Sequence, residues 1–245
     1  MKGLSIKVRF RVSDEGEINV QMIHERRVPM YENIAYFLLS IVINALGNAL
    51  TVSINLGSAL WTASSVNMTY LTGIPVGTTL FGFGVLVMVI NALILRRIEW
   101  QRLIGNLIFL IPFSYLVGLT SQVFLNENIN TLPVVFRILL DCTGVVLIAM
   151  AISIYQRVNL MLHPCDDLMQ IIRFKYFKGS AAIAQLVTFA PPVLIILFCW
   201  FQMGQLYAIN VGTIFALAFQ GPLVGIFDRI VFPALKHQHL EHINA

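Results

Sequence analysis

The feature that most constrains this chain is a run of 63 consecutive residues, from Asn33 to Leu95, without a single Asp, Glu, Lys or Arg. A soluble domain carries roughly 25% charged residues, because its surface must stay hydrated. This chain of 245 residues has only 11%, with a mean hydropathy of +0.80. We therefore predict an integral membrane protein that crosses the bilayer several times.

Six segments are apolar over the ~20 residues that a helix needs to span the hydrocarbon core. They are 33–54, 77–95, 103–124, 132–155, 180–201 and 208–228. Backbone polar groups in lipid must pair within their own segment, so the spans are expected to be helices. The sequence thus predicts an all-α membrane protein with six transmembrane helices. Its predicted parts are a basic N-terminal segment (1–32), a first three-helix unit (33–131), a second three-helix unit (132–232) and a C-terminal tail (233–245).

The positive charges indicate how the chain is oriented. Of the 16 Lys and Arg residues, 15 lie in the two tails or in the segments after the second and fourth spans, and only Arg137 lies towards the other side. An excess of Lys and Arg marks cytoplasmic loops, so both termini are predicted to be cytoplasmic. Because the basic residues form short clusters between apolar runs, they indicate a lipid bilayer as partner and not nucleic acid.

The N-terminal segment has a different pattern from the spans. Ile6, Val8 and Phe10 alternate with basic residues, and after a polar break the alternation resumes at Ile18 and Val20. This period of two predicts a small β-hairpin on the cytoplasmic face. A basic tail that rests on anionic lipid is the alternative, and the pattern leaves both open.

The two predicted units show signs of an internal repeat. Asn55-Leu56 after the first span corresponds to Asn159-Leu160 after the fourth, at an offset of 104, and Leu116-Val117-Gly118 matches Leu223-Val224-Gly225 at an offset of 107. Three spans are an odd number, so the second unit enters the membrane from the opposite side. Such a 3+3 inverted-topology repeat is typical of secondary transporters. A duplication that only produced a stable bundle is the alternative.

The segments that follow spans one and four are long enough to form short helices. In 159–179 one face is apolar and the other is charged, which predicts a helix that lies in the membrane interface and begins at Pro164. Segment 55–76 is less amphipathic and contains Trp61; it is predicted to be interfacial or re-entrant.

This order of elements resembles the YczE/YyaS/YitT-type bacterial integral membrane proteins. The resemblance covers about residues 34–232 and is carried by His163-Pro164-Cys165-Asp166 and by the run from Gly221 to Asp228. The first unit departs from the pattern, with Leu60 and Thr62 where family members often have Pro and Asp. The resemblance implies a multi-pass protein of the bacterial cell membrane, and relatives labelled sugar-specific or fructose permease imply transport. It also singles out Trp61, Pro164, Asp166 and Asp228 as a connecting-segment motif.

Ionisable groups inside a span are costly, at about 2.5–3.5 kcal/mol each on insertion scales, so each calls for an explanation. Arg137 and Asp141 are four residues apart on one helix face, where they can pair. The two residues are expected to form either a substrate or proton site or a neutralised pair with a structural role. Asp141 is the one mid-chain acid expected to lie deep enough to carry a proton.

Span one has a stripe of small and polar residues, in which Asn44 lies near the middle of the bilayer. Small residues let helices pack closely, so helix packing explains most of the stripe. An amide at that depth needs a partner, however, and spans three and six offer several. The predicted substrate-binding residues are Asn44, Arg137, Asp141, Asn106, Asn210 and Gln220.

These patterns favour a secondary transporter for a small neutral or weakly charged solute, such as a sugar, that works by alternating access. The alternative is a non-transporting membrane protein that regulates a cytoplasmic partner. A polar cavity between the units would favour transport, and a filled centre would favour the partner. We predict neither a cofactor or metal site nor an enzyme, because no signature for one is present. The sequence leaves a homo-oligomer open.

Overall fold

The computed structural model describes residues 4–12, 18–26, 29–178, 181–233 and 235. Eight α-helices are present within these ranges. They are α1 (Met30–Ile54), α2 (Leu60–Thr72), α3 (Val76–Leu95), α4 (Trp100–Asn126), α5 (Val134–Val158), α6 (Pro164–Lys175), α7 (Ala181–Met203) and α8 (Val211–Ile230).

The six long helices are long and apolar enough to cross a membrane, which confirms the prediction of a multi-pass helical membrane protein. Three of them begin directly after a proline, at Pro29, Pro75 and Pro133. Proline fixes φ near a helical value and lacks an N–H, so it is well suited to the start of a helix. For this reason α1 begins before the apolar run that predicted it.

Helices α1 and α5 end in the same way. Asn55 and Asn159 follow them with positive φ angles of 55° and 47°. Asparagine adopts this left-handed conformation more readily than most residues, and it commonly terminates a helix. The two asparagines that suggested a repeat in the sequence are therefore equivalent helix stops.

Two strands precede the helices, β1 (Leu4–Val12) and β2 (Ile18–Arg26). Their backbones pair antiparallel, with Leu4 opposite Arg26 and Val12 opposite Ile18. The turn, residues 13–17, lies outside the described residues. The β-hairpin on the cytoplasmic face therefore stays a prediction.

The centre of the bundle is the crossing of α1 and α5. Gly47 and Gly144 meet there so closely that a Cβ atom on Gly47 would lie 2.6 Å from the Gly144 carbonyl oxygen, and one on Gly144 would lie 2.8 Å from that of Gly47. Small residues allow this approach between membrane helices. The predicted packing stripe on α1 lies in this interface, with Ser40 and Thr51 fully buried.

The remaining helices pack around this antiparallel pair in matching positions. Helix α4 packs on α1 and α8 packs on α5, while α2 packs on α7 and α3, and α6 packs on α3 and α7. The first four helices, α1 to α4, differ from the last four, α5 to α8, in one respect. Helices α3 and α4 pack on each other, whereas α7 and α8 make at most a marginal contact within the described residues.

One end of the bundle carries most of its described charges, and we call it the basic end. Arg97 and Arg102 both form ion pairs with Glu99, and Arg102 also lies 3.6 Å from Asp167 on α6. The opposite end, where α1 and α4 stop and α5 and α8 begin, is called the far end. That the basic end faces the cytoplasm stays a prediction from the distribution of Lys and Arg.

Candidate functional site

A polar cavity of about 160 Å³ lies at the centre of the bundle. Residues of α1, α2, α4, α5, α6, α7 and α8, together with Leu80 of α3, line it. Its polar lining consists of Asn44, Asn48, Thr62, Tyr155, His163, Asp166, Gln185, Thr188 and Gln220. One buried water needs about 10–15 Å³ of such volume, so the cavity has room for several waters or for a small solute.

Helix α2 reaches this cavity from the far end. After α1 stops, the chain folds back into the bundle, so that the Thr62 hydroxyl donates a hydrogen bond to Asn48 Oδ1 at 2.7 Å. Asn48 lies six residues before the end of α1, which is about 9 Å of helix. Helix α2 therefore starts inside the bundle, beside the last two turns of α1. That segment 55–76 is re-entrant in the membrane stays a prediction.

Helix α6 reaches the cavity from the basic end. Its N-cap, His163, packs edge-on against Phe113 and Phe109, with ring centroids 5.1 and 5.5 Å away. Phe113 is the central residue of α4, so α6 begins at mid-depth. This differs from the predicted interfacial helix. Its apolar face, with Leu168 and Ile172, is covered by protein and not by lipid.

A chain of hydrogen bonds links the α1 and α2 sides of the cavity. Asn48 Nδ2 donates to Asn44 Oδ1 at 2.9 Å, and Asn48 Oδ1 accepts from Thr62. The Asn44 side chain is only 5% exposed, yet no hydrogen-bond partner faces its Nδ2 among the described residues. This nitrogen is not fully enclosed by protein, so it borders the open space of the cavity. Asn44 therefore offers an unused donor to whatever occupies the cavity.

Among the described residues of the cavity wall, Asp166 alone has a carboxyl group, which accepts a hydrogen bond from the Tyr155 hydroxyl. Burial raises the pKa of Asp166 to about 6, although the bond from Tyr155 lowers it and the neighbouring Asp167 raises it. Burial lowers the pKa of His163 to about 4, so that this imidazole is neutral at physiological pH. Near neutrality the wall thus carries one titrating acid and otherwise uncharged polar groups.

Four predicted site residues line the central cavity. They are Asn44, Gln220, Trp61 and Asp166. Pro164, at the first position of α6, is buried beside it and accepts a hydrogen bond from Asn91 Nδ2 at 3.2 Å.

Three other predicted residues lie elsewhere. Asn106 donates to Asp167 at 3.0 Å between α4 and α6, and Asn210 caps the start of α8. Asp228 accepts from Ser153 and pairs with the buried Arg157 at 3.4 Å, at the basic end. Asn106 and Asp228 thus each link two helices, whereas Asn210 acts within α8 alone.

Arg137 and Asp141 do not form the expected pair. No ion pair between them occurs in the part of the chain that the structure describes. Arg137 Nη2 donates to the carbonyl oxygen of Ile54 at 2.8 Å. The Asp141 carboxyl lies over Gly212 at the start of α8, so close that a Cβ on Gly212 would be 1.7 Å from its Oδ2. A separation of four residues along a helix permits an ion pair, but contacts with the neighbouring helices determine whether it forms.

The structure adds cavity residues that the sequence analysis did not propose as ligands, mainly Asn48, Tyr155, Gln185 and Thr188. Asn48 follows Asn44 by four residues and shares its helix face, which was a usable signal. Gln185 and Thr188 come from the first turns of α7, whose orientation depends on α6. No spacing in the sequence indicates which face of α7 borders the cavity.

A second cavity, of about 430 Å³, opens at the far end between α1, α2, α3, α4 and α5, and we call it the vestibule. Val52, Val66 and Val76 line it and pack into one apolar cluster. Each lies one turn from a residue of the central cavity, namely Asn48, Thr62 and Leu80. The three valines therefore form an apolar layer between the two cavities.

The chain belongs to a family of unknown function, DUF6198, whose model matches residues 31–229. No curated protein and no solved structure matches it. The match covers all six spans and both short helices. It does not name the YczE/YyaS/YitT type, so that resemblance stays a prediction.

Proposed function

We propose that this member of the DUF6198 family is a secondary transporter for a small neutral or weakly charged solute, and that the central cavity is its binding site. The carrying observation is the location of a polar cavity at the meeting point of the two halves. Each half contributes a long helix and the first turn of a short re-entrant helix to its wall. A midplane site between broken helices is the arrangement that inverted-repeat transporters use.

The residues of the cavity wall support an origin from two equivalent halves. Asn44 and Ile148, Asn48 and Ile152, and Thr62 and Asp166 are all cavity residues. Within each pair the numbers differ by 104, the offset of the repeat. A cavity on a two-fold axis would be lined by such pairs. We therefore propose that the halves are inverted repeats that rock about this axis.

The chemistry of the wall favours an uncharged, hydroxyl-bearing solute. Amides and hydroxyls provide both donors and acceptors, and no Lys or Arg that would attract an anion occurs among the described residues of the wall. At about 160 Å³ the cavity is smaller than the 300–1,000 Å³ of typical ligand sites. It suits a small polyol as it stands, whereas a hexose would require the halves to part slightly.

Asp166 is the group best placed to couple transport to protons, in place of Asp141. The Asp166 carboxyl is on the cavity wall, whereas the carboxyl of Asp141, on α5, lies against the start of α8 and outside the cavity. A carboxyl whose pKa is about 6 exchanges its proton in the range where cells maintain proton gradients. We propose that protonation of Asp166 accompanies binding of the solute.

Counterflow in proteoliposomes tests this function. Vesicles loaded with an unlabelled polyol are diluted into a trace of the same labelled compound, and glycerol, erythritol, xylitol, glucose and fructose are compared. Transient accumulation of at least one of them is expected with the native protein, and a reduced rate with Asn44→Leu. Asn106→Leu is the matched control, because Asn106 has a similar burial but lies outside the cavity. The absence of counterflow for every compound would contradict the solute class.

A further inference from the structure

The vestibule contains a charged side chain that forms no ion pair with another described residue. Arg137 is the one charged residue among those that line it. Its Nη2 donates to a main-chain carbonyl oxygen, and its Nε is enclosed without an acceptor in the described part of the chain. No ion pair involves Arg137 among the described residues, whereas Arg97, Arg102 and Arg157 all have carboxylate partners.

Asp141, one turn further along α5, interacts electrostatically with this guanidinium but forms no ion pair with it in the described part of the chain. A half-buried guanidinium that no carboxylate contacts is unfavourable, since removing a charge from water costs free energy unless a close opposite charge compensates. Guanidinium groups bind carboxylates in a planar, two-pronged geometry. A single positive charge balances a monoanion and leaves a dianion such as sulfate only half neutralised. The ligand that fits this charge is therefore a monocarboxylate.

The rest of the vestibule defines the body of this ligand. The lining of the vestibule includes neutral polar side chains, among them Asn55, Gln122 and Asn130, that can assist a carboxylate. Val52, Val66 and Val76 supply apolar surface at the valine layer. A volume of about 430 Å³ lies in the range of sites for organic ligands. The wall thus offers polar groups for a carboxylate and apolar surface for the rest of a ligand.

We infer that the vestibule is a binding site for a small organic monocarboxylate with an apolar body, held by Arg137. The site is separate from the central cavity, because the valine layer lies between them. It opens at the far end, which is the outside in the predicted orientation. The inference does not depend on transport of a neutral solute.

Benzoate is a suitable probe, since it joins a carboxylate to an apolar ring. The full chain in a neutral detergent is heated with increasing benzoate at constant ionic strength, with chloride and sulfate in parallel. Benzoate is expected to raise the Tm in a saturable manner, by roughly 5–10 °C at a hundred-fold excess over its Kd. An equal shift with chloride would overturn the inference.

Variants identify the site. Arg137→Gln should abolish the saturable Tm shift. Arg137→Lys should raise the Kd for benzoate about tenfold, because an ammonium keeps the charge but lacks the planar pair of N–H donors of a guanidinium. Arg97→Gln, at the exposed basic end, should retain the full shift. If Arg137→Gln fails to fold, Gln122→Trp decides, because it fills the mouth of the vestibule from an exposed position and leaves the charge in place. An undiminished shift in Arg137→Gln, or in Gln122→Trp, would overturn the inference.

Discussion

At the scale of single residues, the proposed coupling of transport to protons depends on which acid faces the central cavity. Asp141 and Asp166 both lie within the bundle, and the sequence placed Asp141 deeper because it belongs to a long apolar span. A helix reveals which residues share a face, but its neighbours determine which face borders a cavity. The re-entrant start of α6 brings Asp166 to mid-depth, and no hydropathy pattern indicates that depth.

We predict that transport falls as pH rises through about 6 and that Asp166→Asn removes this dependence. The pKa of Asp166 is raised to about 6, so the carboxyl holds its proton below that pH and loses it above. Two of the titrating groups around it do not change in this range. His163 is neutral above about pH 4, and burial raises the pKa of the Cys165 thiol well above its usual value. Burial also raises the pKa of the neighbouring Asp167, although Arg102 and Asn106 lower it, so the loss of the dependence in Asp166→Asn is what assigns the proton to Asp166.

The measurement is the initial rate of counterflow or uptake between pH 5 and 8. Asp141→Asn is the control and should keep the native midpoint, because Asp141 is not on the cavity wall. A midpoint that disappears in Asp141→Asn and persists in Asp166→Asn would assign the proton to the residue that the sequence favoured.

At the scale of helices, the six spans were predictable and their exact contacts were not. A continuous apolar run of ~20 residues is a strong and local signal. The start of α1 after Pro29 was predicted three residues late, because the charged Glu32 follows this proline, whereas the start of α3 was predicted to within one residue. The depth of α2 and α6 depends on contacts with distant helices, such as the Thr62–Asn48 hydrogen bond.

The crossing of α1 and α5 gives a stability prediction. Gly47→Ala should lower the free energy of unfolding by about 1–3 kcal/mol, because its Cβ would meet the Gly144 main chain, which cannot rotate away as a side chain does. Gly82→Ala on α3 is the matched control, since nothing lies within 4 Å of its Cβ. Unfolding in mixed detergent and SDS micelles measures both. An equal loss for both variants would show that the close crossing is not what requires glycine.

The valine layer gives a prediction about access. In the native background, a cysteine at Thr62 should react slowly with a membrane-impermeant thiol reagent added at the far end, because Val52, Val66 and Val76 separate the two cavities. Val66→Ser should increase that rate about tenfold, since water then enters the layer. The control is Val85→Ser, on the exposed surface of α3. The same rate in Val66→Ser as in the native background would contradict a barrier at this layer.

At the scale of the whole molecule, the proposal is that two equivalent halves share one cavity. In the sequence, Asn55 and Asn159 showed the offset of 104. In the structure, each of them ends a helix by adopting the left-handed backbone conformation. Two weak sequence matches could not show that the halves meet around a polar space, because this requires the packing of α1 on α5. Helices α7 and α8 are loosely packed, whereas their counterparts α3 and α4 pack on each other, and the sequence could not predict this difference either. Such a difference between halves is expected of a bundle held in one of two alternating states.

The most direct measurement of this claim is the sided labelling of a cysteine at Gln220, a cavity residue on α8. Impermeant reagent is added to one face of the membrane at a time while the other face is quenched. Alternating access predicts that Gln220→Cys reacts from both faces and that a transported solute slows both reactions, while Gln122→Cys in the vestibule reacts from the far end alone. Reaction of Gln220→Cys from a single face, unchanged by every solute, would contradict the account.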